Sequence, residues 1–500
     1  MNKKKNFLRF LETAAFCVCL FAAVLAANKL VQRKASIKHL QPFFDHAQKY
    51  DVLFVGDSLV INGIFPMEMW EEYGIAGYNL ASYGNTIPVT YWTLINALDY
   101  AAPKAVVIGI KDVDKHYKLS GSSSDLHTAF DGYPLSRNKI LAIEDLTNDP
   151  RAVDDAGIRY MDMKSEYYFT LGKYHDRWSE LTDDDFRPAL NVQAGANMLA
   201  GVAEPQDYEL IDEWEASEES GCGFVYLRRM IEECKSRGIH VLLVHLPYPA
   251  SVKAQRNANA VISVAQEYEV DYVDFVSLDQ VVDYAVDCRD SHSHLNASGA
   301  KKVSDYLARY LVDHYNLPDR RGDELYAHWY ADYDAYIDYK RAFIKGQEEL
   351  DHLLMLLHDQ NFSVLAAVEP DAPIYEDEQL YLLMHNVVRE HVFEADAFSK
   401  WSNALFPLEG LDHAAQSGAL YLLAADRKEG EVLEWSAEDT TCQADFSFGQ
   451  LTLDMENGTP SIALQKDGRV TWMPDLSGEA SVHILVIDDR TGETVKEYAF

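Results

Sequence analysis

The sequence predicts an α/β chain: a three-layer, doubly wound parallel sheet with an N-terminal membrane anchor and a second, α+β domain. Three observations predict it. Short apolar runs alternate with helix-length periodic stretches from about residue 51 to 314, the pattern of strands crossed over by helices. A basic, then apolar segment opens the chain, and the last hundred residues turn rich in short β-runs. At 500 residues the chain exceeds one ordinary core, so two folded domains are expected.

The N-terminal element is read from Lys3, Lys4, Lys5 and Arg9, which precede the apolar stretch 13–27. A positive leader followed by an apolar run marks a signal peptide or an anchor. Residues 7–31 suffice to cross a bilayer if Arg9 and Lys29 snorkel, whereas Val24-Leu25-Ala26 makes a mediocre cleavage site. The segment 1–35 is therefore read as an uncleaved single-pass anchor, with a cleaved signal as the alternative. Lysines before the span put the N-terminus in the cytoplasm and the main body outside.

Residues 51–55 form a β-run that ends abruptly at Gly56-Asp57-Ser58. A helix at 66–73 and a strand-like piece at 78–80 come next, the latter ending in Ser82-Tyr83-Gly84-Asn85. A helical period spans 90–100, and 105–110 (AVVIGI) is a run of the kind buried on both faces of a parallel sheet. The alternation resumes with a helix at 223–237, a strand at 239–246, a helix at 251–268, a strand at 270–275 and a last helix at 298–314. Between them lies an acidic, Tyr-rich insertion at about 112–222, a lid, a substrate wall or a plain subdomain. The unit is bounded at 36–317. The aromatic stretch 318–346 reads as an exposed helical connector, and 347–500 as the α+β domain.

Composition narrows the function. A formal charge of -36, from 80 acidic and 44 basic side chains, repels phosphate backbones and excludes nucleic acid as a partner. Such a surface suits a neutral or zwitterionic glycan as well as a small ester. Two of the six cysteines, Cys17 and Cys19, lie inside the apolar segment. The rest, Cys222, Cys234, Cys288 and Cys442, show no CxxC or Cys/His spacing; one disulfide is possible, and no metal or other cofactor is expected.

In a doubly wound sheet, chemistry sits at the carboxyl ends of the strands. Ser58, Gly84 and Lys111 each follow a strand end. A serine oxygen needs a base to take its proton and donors to stabilise an oxyanion. The Ser58 amide and Gly84 are candidate donors, and Asp290-Ser291-His292-Ser293-His294-Leu295-Asn296, before the last helix, offers the base.

Gly56-Asp57-Ser58 resembles the first block of the SGNH (GDSL-type) hydrolases and acyltransferases, Asn79 to Asn85 their second, and Asp290 to Asn296 their last. The resemblance covers most of 51–314 and implies the flavodoxin-like layering of that family. It also implies roles: Ser58 as nucleophile, His294 as general base, Asp290 as the acid orienting it, with Ser58, Gly84, Asn85 and Lys111 around the oxyanion. His292 is the alternative base. Two departures stand out. The family's acid lies three residues before the histidine, where this chain has Ser291 and places Asp290 four before. Its third block supplies an Asn where this chain has Lys111. The branch resembled is membrane-tethered and acts on the bacterial cell surface beside multi-pass membrane acyltransferases. That resemblance implies an extracytoplasmic serine esterase or O-acyltransferase acting on acyl, chiefly acetyl, esters of cell-surface glycans. The alternative is a non-catalytic scaffold of the same fold for envelope glycan binding or assembly.

Overall fold

A computed structural model describes residues 2–32, 34–187, 192–204, 208–278, 281–291, 294–388, 392–393, 401–402, 408–437, 441–456 and 459–500. The chain opens with helix α1 (Asn2–Val31), and α2 (Lys34–His46) comes after it. The stretch Lys5–Val31 has a mean hydropathy of 2.2 in its most apolar window and none of that window is buried, so it is long and apolar enough to cross a membrane.

The alternating segment forms β1 (Val52–Val55), α3 (Ser58–Gly63), α4 (Pro66–Tyr73), β2 (Gly77–Asn79), α5 (Ile87–Ala97) and β3 (Ala105–Gly109). An insertion then contributes α6 (Ser123–Phe130), α7 (Arg137–Thr147), α8 (Tyr160–Tyr168) and α9 (Leu171–Tyr174). The alternation closes with α10 (Cys222–Ser236), β4 (His240–His245), α11 (Val252–Tyr268), β5 (Asp271–Asp274) and α12 (Ala297–Tyr315). The five strands form one wholly parallel sheet in the order β2-β1-β3-β4-β5. The chain reverses its direction of travel across the sheet at β1, so a crevice opens between the carboxyl ends of β1 and β3. VLFV and AVVIG are buried along their whole length, as strands covered on both faces by crossover helices must be. Helices α3 and α4 pack on α12, and α5 packs on α10.

The insertion is helical and has its own apolar centre, built from Leu126, Phe130, Ile143, Leu146, Tyr160 and Tyr167. Its period was hidden in the sequence by acidic residues on the solvated faces of short helices.

The second domain begins beyond α13 (His328–Lys345) and comprises α14 (Leu350–Leu356), β6 (Phe362–Val368), α15 (Glu378–Val387), β7 (Val392–Phe393), β8 (Trp401–Ser402), α16 (Glu409–Ser417), β9 (Leu420–Asp426), β10 (Glu431–Ala437), β11 (Cys442–Phe446), β12 (Gly449–Glu456), β13 (Thr459–Lys466), β14 (Arg469–Trp472), β15 (Val482–Asp488) and β16 (Glu493–Ala499). One antiparallel sheet runs β10-β9-β6-β15-β16, and β11 to β14 form a meander. Alternate residues of the central strands divide between two cores. Leu365, Leu422 and Leu485 face Leu451, Ile462 and Trp472 of the meander. Val364, Tyr421 and Val486 join the core that continues into the parallel-sheet unit.

The aromatic connector is not the exposed helix its composition suggested. Trp329, Tyr336, Ile337, Lys340 and Ile344 form one buried stripe of α13, and Trp329 stacks on Trp70 with centroids 4.9 Å apart. Buried ions tie the same region together. Glu68 lies 3.2 Å from both Lys301 and Lys340 and accepts a 2.7 Å hydrogen bond from Tyr336, while Lys340 reaches Asp359 at 2.7 Å. Lys302, fully buried on α12, donates to both oxygens of Asp287 at 2.6 and 2.7 Å and to Asn386 at 3.1 Å.

Candidate active site

β1 runs into α3 through Gly56 and Asp57. A Cβ on Gly56 would come 2.4 Å from Val60 Cγ2 and 3.4 Å from the Gly109 Cα, so a glycine is needed where the ends of β1 and β3 press together. Asp57 is the N-cap of α3, its carboxylate accepting the Leu59 N–H at 3.1 Å. Ser58 is therefore the first helical residue. Its hydroxyl is not spent on capping, and its amide has no carbonyl one turn back inside the helix.

Asp290 and His294 face one another across a tight loop. An isolated antiparallel bridge joins Cys288 to Leu295, and the Arg289 N–H donates to the His294 carbonyl at 2.8 Å. This closure brings the Asp290 carboxylate to His294 Nδ1 at 2.6 Å and to the His294 backbone N–H at 3.3 Å, despite the four-residue spacing. His294 Nε2 is buried and has no hydrogen-bond partner. Leu295 reaches toward Gly63 of α3. Asn296 caps α12 by accepting from the Gly299 N–H at 3.1 Å and donates to the carbonyls of Gly201 and Val286. The histidine loop is thus clamped between α3 and α12. His294 is near enough for its charge to act on Asp57, but no hydrogen bond joins it to Ser58 Oγ. His292 lies outside the described residues.

The loop after β2 closes the other side. Ser82 N–H and Asn85 Nδ2 both donate to the Gly56 carbonyl, at 3.4 and 3.2 Å, while Asn85 Oδ1 and Ser82 Oγ are buried without partners. Gly84 has φ +68°, and a Cβ there would stand 2.0 Å from an oxygen of Asp125 on α6. The insertion therefore touches the rim of the site. Tyr83, whose ring centroid is 6.5 Å from that of His294, receives hydrogen bonds at its hydroxyl from Asn62 (2.9 Å) and Asn197 (2.8 Å). Neither asparagine was singled out by the sequence. Asn62 lies one helical turn beyond Ser58, and that spacing was the available signal.

The Lys111 ammonium is 3.7 Å from the Asp57 carboxylate and 5.6 Å from the centre of the Tyr248 ring. Burial pushes the Asp57 carboxyl above its ordinary range, against the pull of Lys111. Beyond Lys111 opens a cleft of about 170 Å³ whose walls include Asp112, His245, Tyr248 and Ser251. His245, 2% exposed at the end of β4, places Nδ1 2.8 Å from Asp274 at the end of β5. This second His–Asp pair was also missed. Both residues end neighbouring strands, which is the position where a doubly wound sheet carries its chemistry.

All six cysteines are free thiols. Among the described residues, His46, His328 and Asp332 offer ligand atoms within 4.8 Å of one another. The two imidazoles stack face to face, centroids 3.9 Å apart at 22°, an arrangement that does not converge their in-plane lone pairs on one ion. Burial and the neighbouring His46 lower His328 to about 4.

Taken together, a carboxylate-oriented imidazole with a free, buried Nε2 can accept a proton from a hydroxyl. Backbone amides at the start of α3 and at Gly84 are donors of the kind that stabilise an oxyanion. No family model matches the chain, and no curated protein matches it. Among solved structures, a presumed acylhydrolase from Bacteroides fragilis NCTC 9343 aligns with 56% of this chain and 98% of its own, at 13% identity and a TM-score of 0.27. At that score the likeness carries no argument about fold or activity.

Proposed function

We propose that the chain is an SGNH-type serine esterase or O-acyltransferase that handles acyl, chiefly acetyl, esters of cell-surface glycans. The observation that supports this reading best is His294, held by Asp290 at 2.6 Å with Nε2 buried and unpartnered. In this scheme Ser58 Oγ attacks the ester carbonyl and its proton passes to His294 Nε2. Asp290 stabilises the imidazolium, and the Ser58 and Gly84 amides receive the oxyanion. Collapse of the tetrahedral species breaks the ester C–O bond, His294 returns the proton to the leaving oxygen, and an acyl-serine remains. Water or a sugar hydroxyl, deprotonated by His294, then releases the acyl group; the first outcome is hydrolysis and the second transfer. Asn85 supports the oxyanion loop from Gly56, and Lys111 acts on Asp57 at the base of the nucleophile's turn. His292 is the alternative base. The scheme uses no metal or cofactor.

The N-terminal helix serves as a single-pass anchor with the body outside the cytoplasm, given Lys3, Lys4, Lys5 and Arg9 ahead of the apolar run. A multi-pass membrane acyltransferase is the fitting partner for the transfer reaction.

A second reading, a non-catalytic scaffold for envelope glycan binding or assembly, draws on two features. Lys111 is held by Asp57, and Ser58 makes no hydrogen bond to His294. Labelling with a fluorophosphonate probe distinguishes the two. Covalent capture at Ser58, abolished in Ser58→Ala and His294→Ala, is expected. A folded protein that neither labels nor hydrolyses p-nitrophenyl acetate overturns the catalytic reading.

A further inference from the structure

The end of α1 is built into the body. Asn28 Oδ1 accepts the Leu171 N–H at 2.6 Å and the Thr170 hydroxyl at 3.1 Å, and Gln32 Nε2 donates to Thr170 Oγ1 at 3.0 Å. Arg177 donates to the carbonyls of Val31 and Gln32, both at 2.7 Å, and pairs with Asp185 at 3.0 Å. These bonds satisfy carbonyls that a helix C-terminus leaves open. The last turn of the apolar helix is therefore seated on residues 170–185 instead of leading into a free linker.

That seat exposes large apolar groups. Trp178 is 72% exposed and Phe186 69%, with Phe169 at 36%. Exposed aromatics scattered singly need no explanation. These three fall on the segment hydrogen-bonded to the end of an apolar helix, and Lys173 and Arg177 lie among them. At 1.5 Å per residue the 27 residues of Lys5–Val31 rise about 40 Å, close to a bilayer with its headgroup layers. Asn28 to Gln32 then emerge at headgroup depth, and so does whatever they are bonded to. Trp, with an apolar body and a polar N–H, is the residue that partitions to that layer.

We infer that residues 169–187 form an interfacial foot, with Trp178 and Phe186 inserted among the lipid headgroups of the bilayer that α1 crosses. The inference rests on α1 acting as a membrane span. It carries a consequence for the candidate site. The insertion that supplies the foot also supplies Asp125 at the rim beside Gly84. Its two ends are joined through the stack of His127 on Tyr167, centroids 4.3 Å apart. The site is thereby held at a set height over the membrane, suited to an acyl donor or glycan presented from that surface.

The test uses the full-length protein reconstituted in phosphatidylcholine vesicles with and without lipid brominated at carbons 6 and 7, which quenches tryptophan near the headgroups. Wild type is expected to lose part of its emission on brominated lipid. Trp178→Phe should remove at least half of that quenched component, and Trp214→Phe, at a site 79% exposed elsewhere on the body, should leave it unchanged. Equal quenching in wild type and Trp178→Phe, with both proteins still floating with the vesicles after a carbonate wash, overturns the foot alone. Release of wild type from the vesicles by carbonate overturns the anchor and the foot with it.

Discussion

Replacing Asp290 by Asn keeps the side chain's shape and removes one negative charge 2.6 Å from His294 Nδ1. In the proposed reaction that imidazole becomes an imidazolium, so the charge matters most at the transition state. Both side chains are about a quarter exposed, which argues for an effective dielectric near 20. Charges centred about 4 Å apart then attract by about 4 kcal/mol, equivalent to roughly 10³ in rate. Solvent around a quarter-exposed pair lowers this, so kcat for p-nitrophenyl acetate should fall by about 10² to 10³, with KM within about twofold of wild type. The fluorophosphonate labelling rate of Ser58 should fall in parallel, because it needs the same proton removal. Near-wild-type turnover and labelling in a folded Asp290→Asn protein would refute the reasoning and turn attention to His292, or to the His245–Asp274 pair.

Other perturbations test the frame around the site. Lys302→Met strands the buried Asp287 carboxylate and should cost about 3–5 kcal/mol in chemical denaturation. Lys302→Met with Asp287→Leu should recover a large part of that loss, and a double variant no more stable than the single one would show that the ion pair is not the cause. Gly84→Ala forces φ +68° on a residue with a Cβ and meets Asp125. A loss of about 1–2 kcal/mol is expected, partly restored by Asp125→Ala; no change in stability would contradict the observed turn. His39 and His358 are both buried and lowered to about 4. Because the unfolded chain binds their protons first, stability should fall as pH drops from about 6.5 to 4, by up to about 3 kcal/mol for each. His39→Leu should flatten that slope in urea titrations at pH 7 and 4.5, and an unchanged slope counts against the assignment.

Much of the frame was legible because its signals are local. Runs such as VLFV and AVVIG cannot be solvated on either face, so they read as parallel strands wherever they lie. Asp57, Thr86, Ser251 and Asn296 each precede a helix and cap it in the structure, as short polar side chains do. The connector misled because its charge density is high while its buried stripe, Trp329, Tyr336, Ile337, Lys340 and Ile344, includes a lysine. Lys340 counts as solvated until Glu68 and Asp359, from elsewhere in the chain, are seen beside it.

The sequence alone determined the alternation of elements, the apolar N-terminal helix, the Gly56-Asp57-Ser58 turn after the first strand, and the polar loop ahead of α12. Each depends on neighbours within a few residues. Tertiary structure decided which groups meet. Lys111 turns to Asp57, Asp290 reaches His294 through a loop closed by the Cys288–Leu295 bridge, His245 finds Asp274 on the next strand, and α1 ends on Arg177. Apart from the short Asp290 loop, these pairings join residues from about thirty to nearly 150 positions apart. Hydropathy patterning is set by one residue's own transfer energy. Contact between distant polar groups is set by how the sheet and its loops close, and no local pattern encodes that closure.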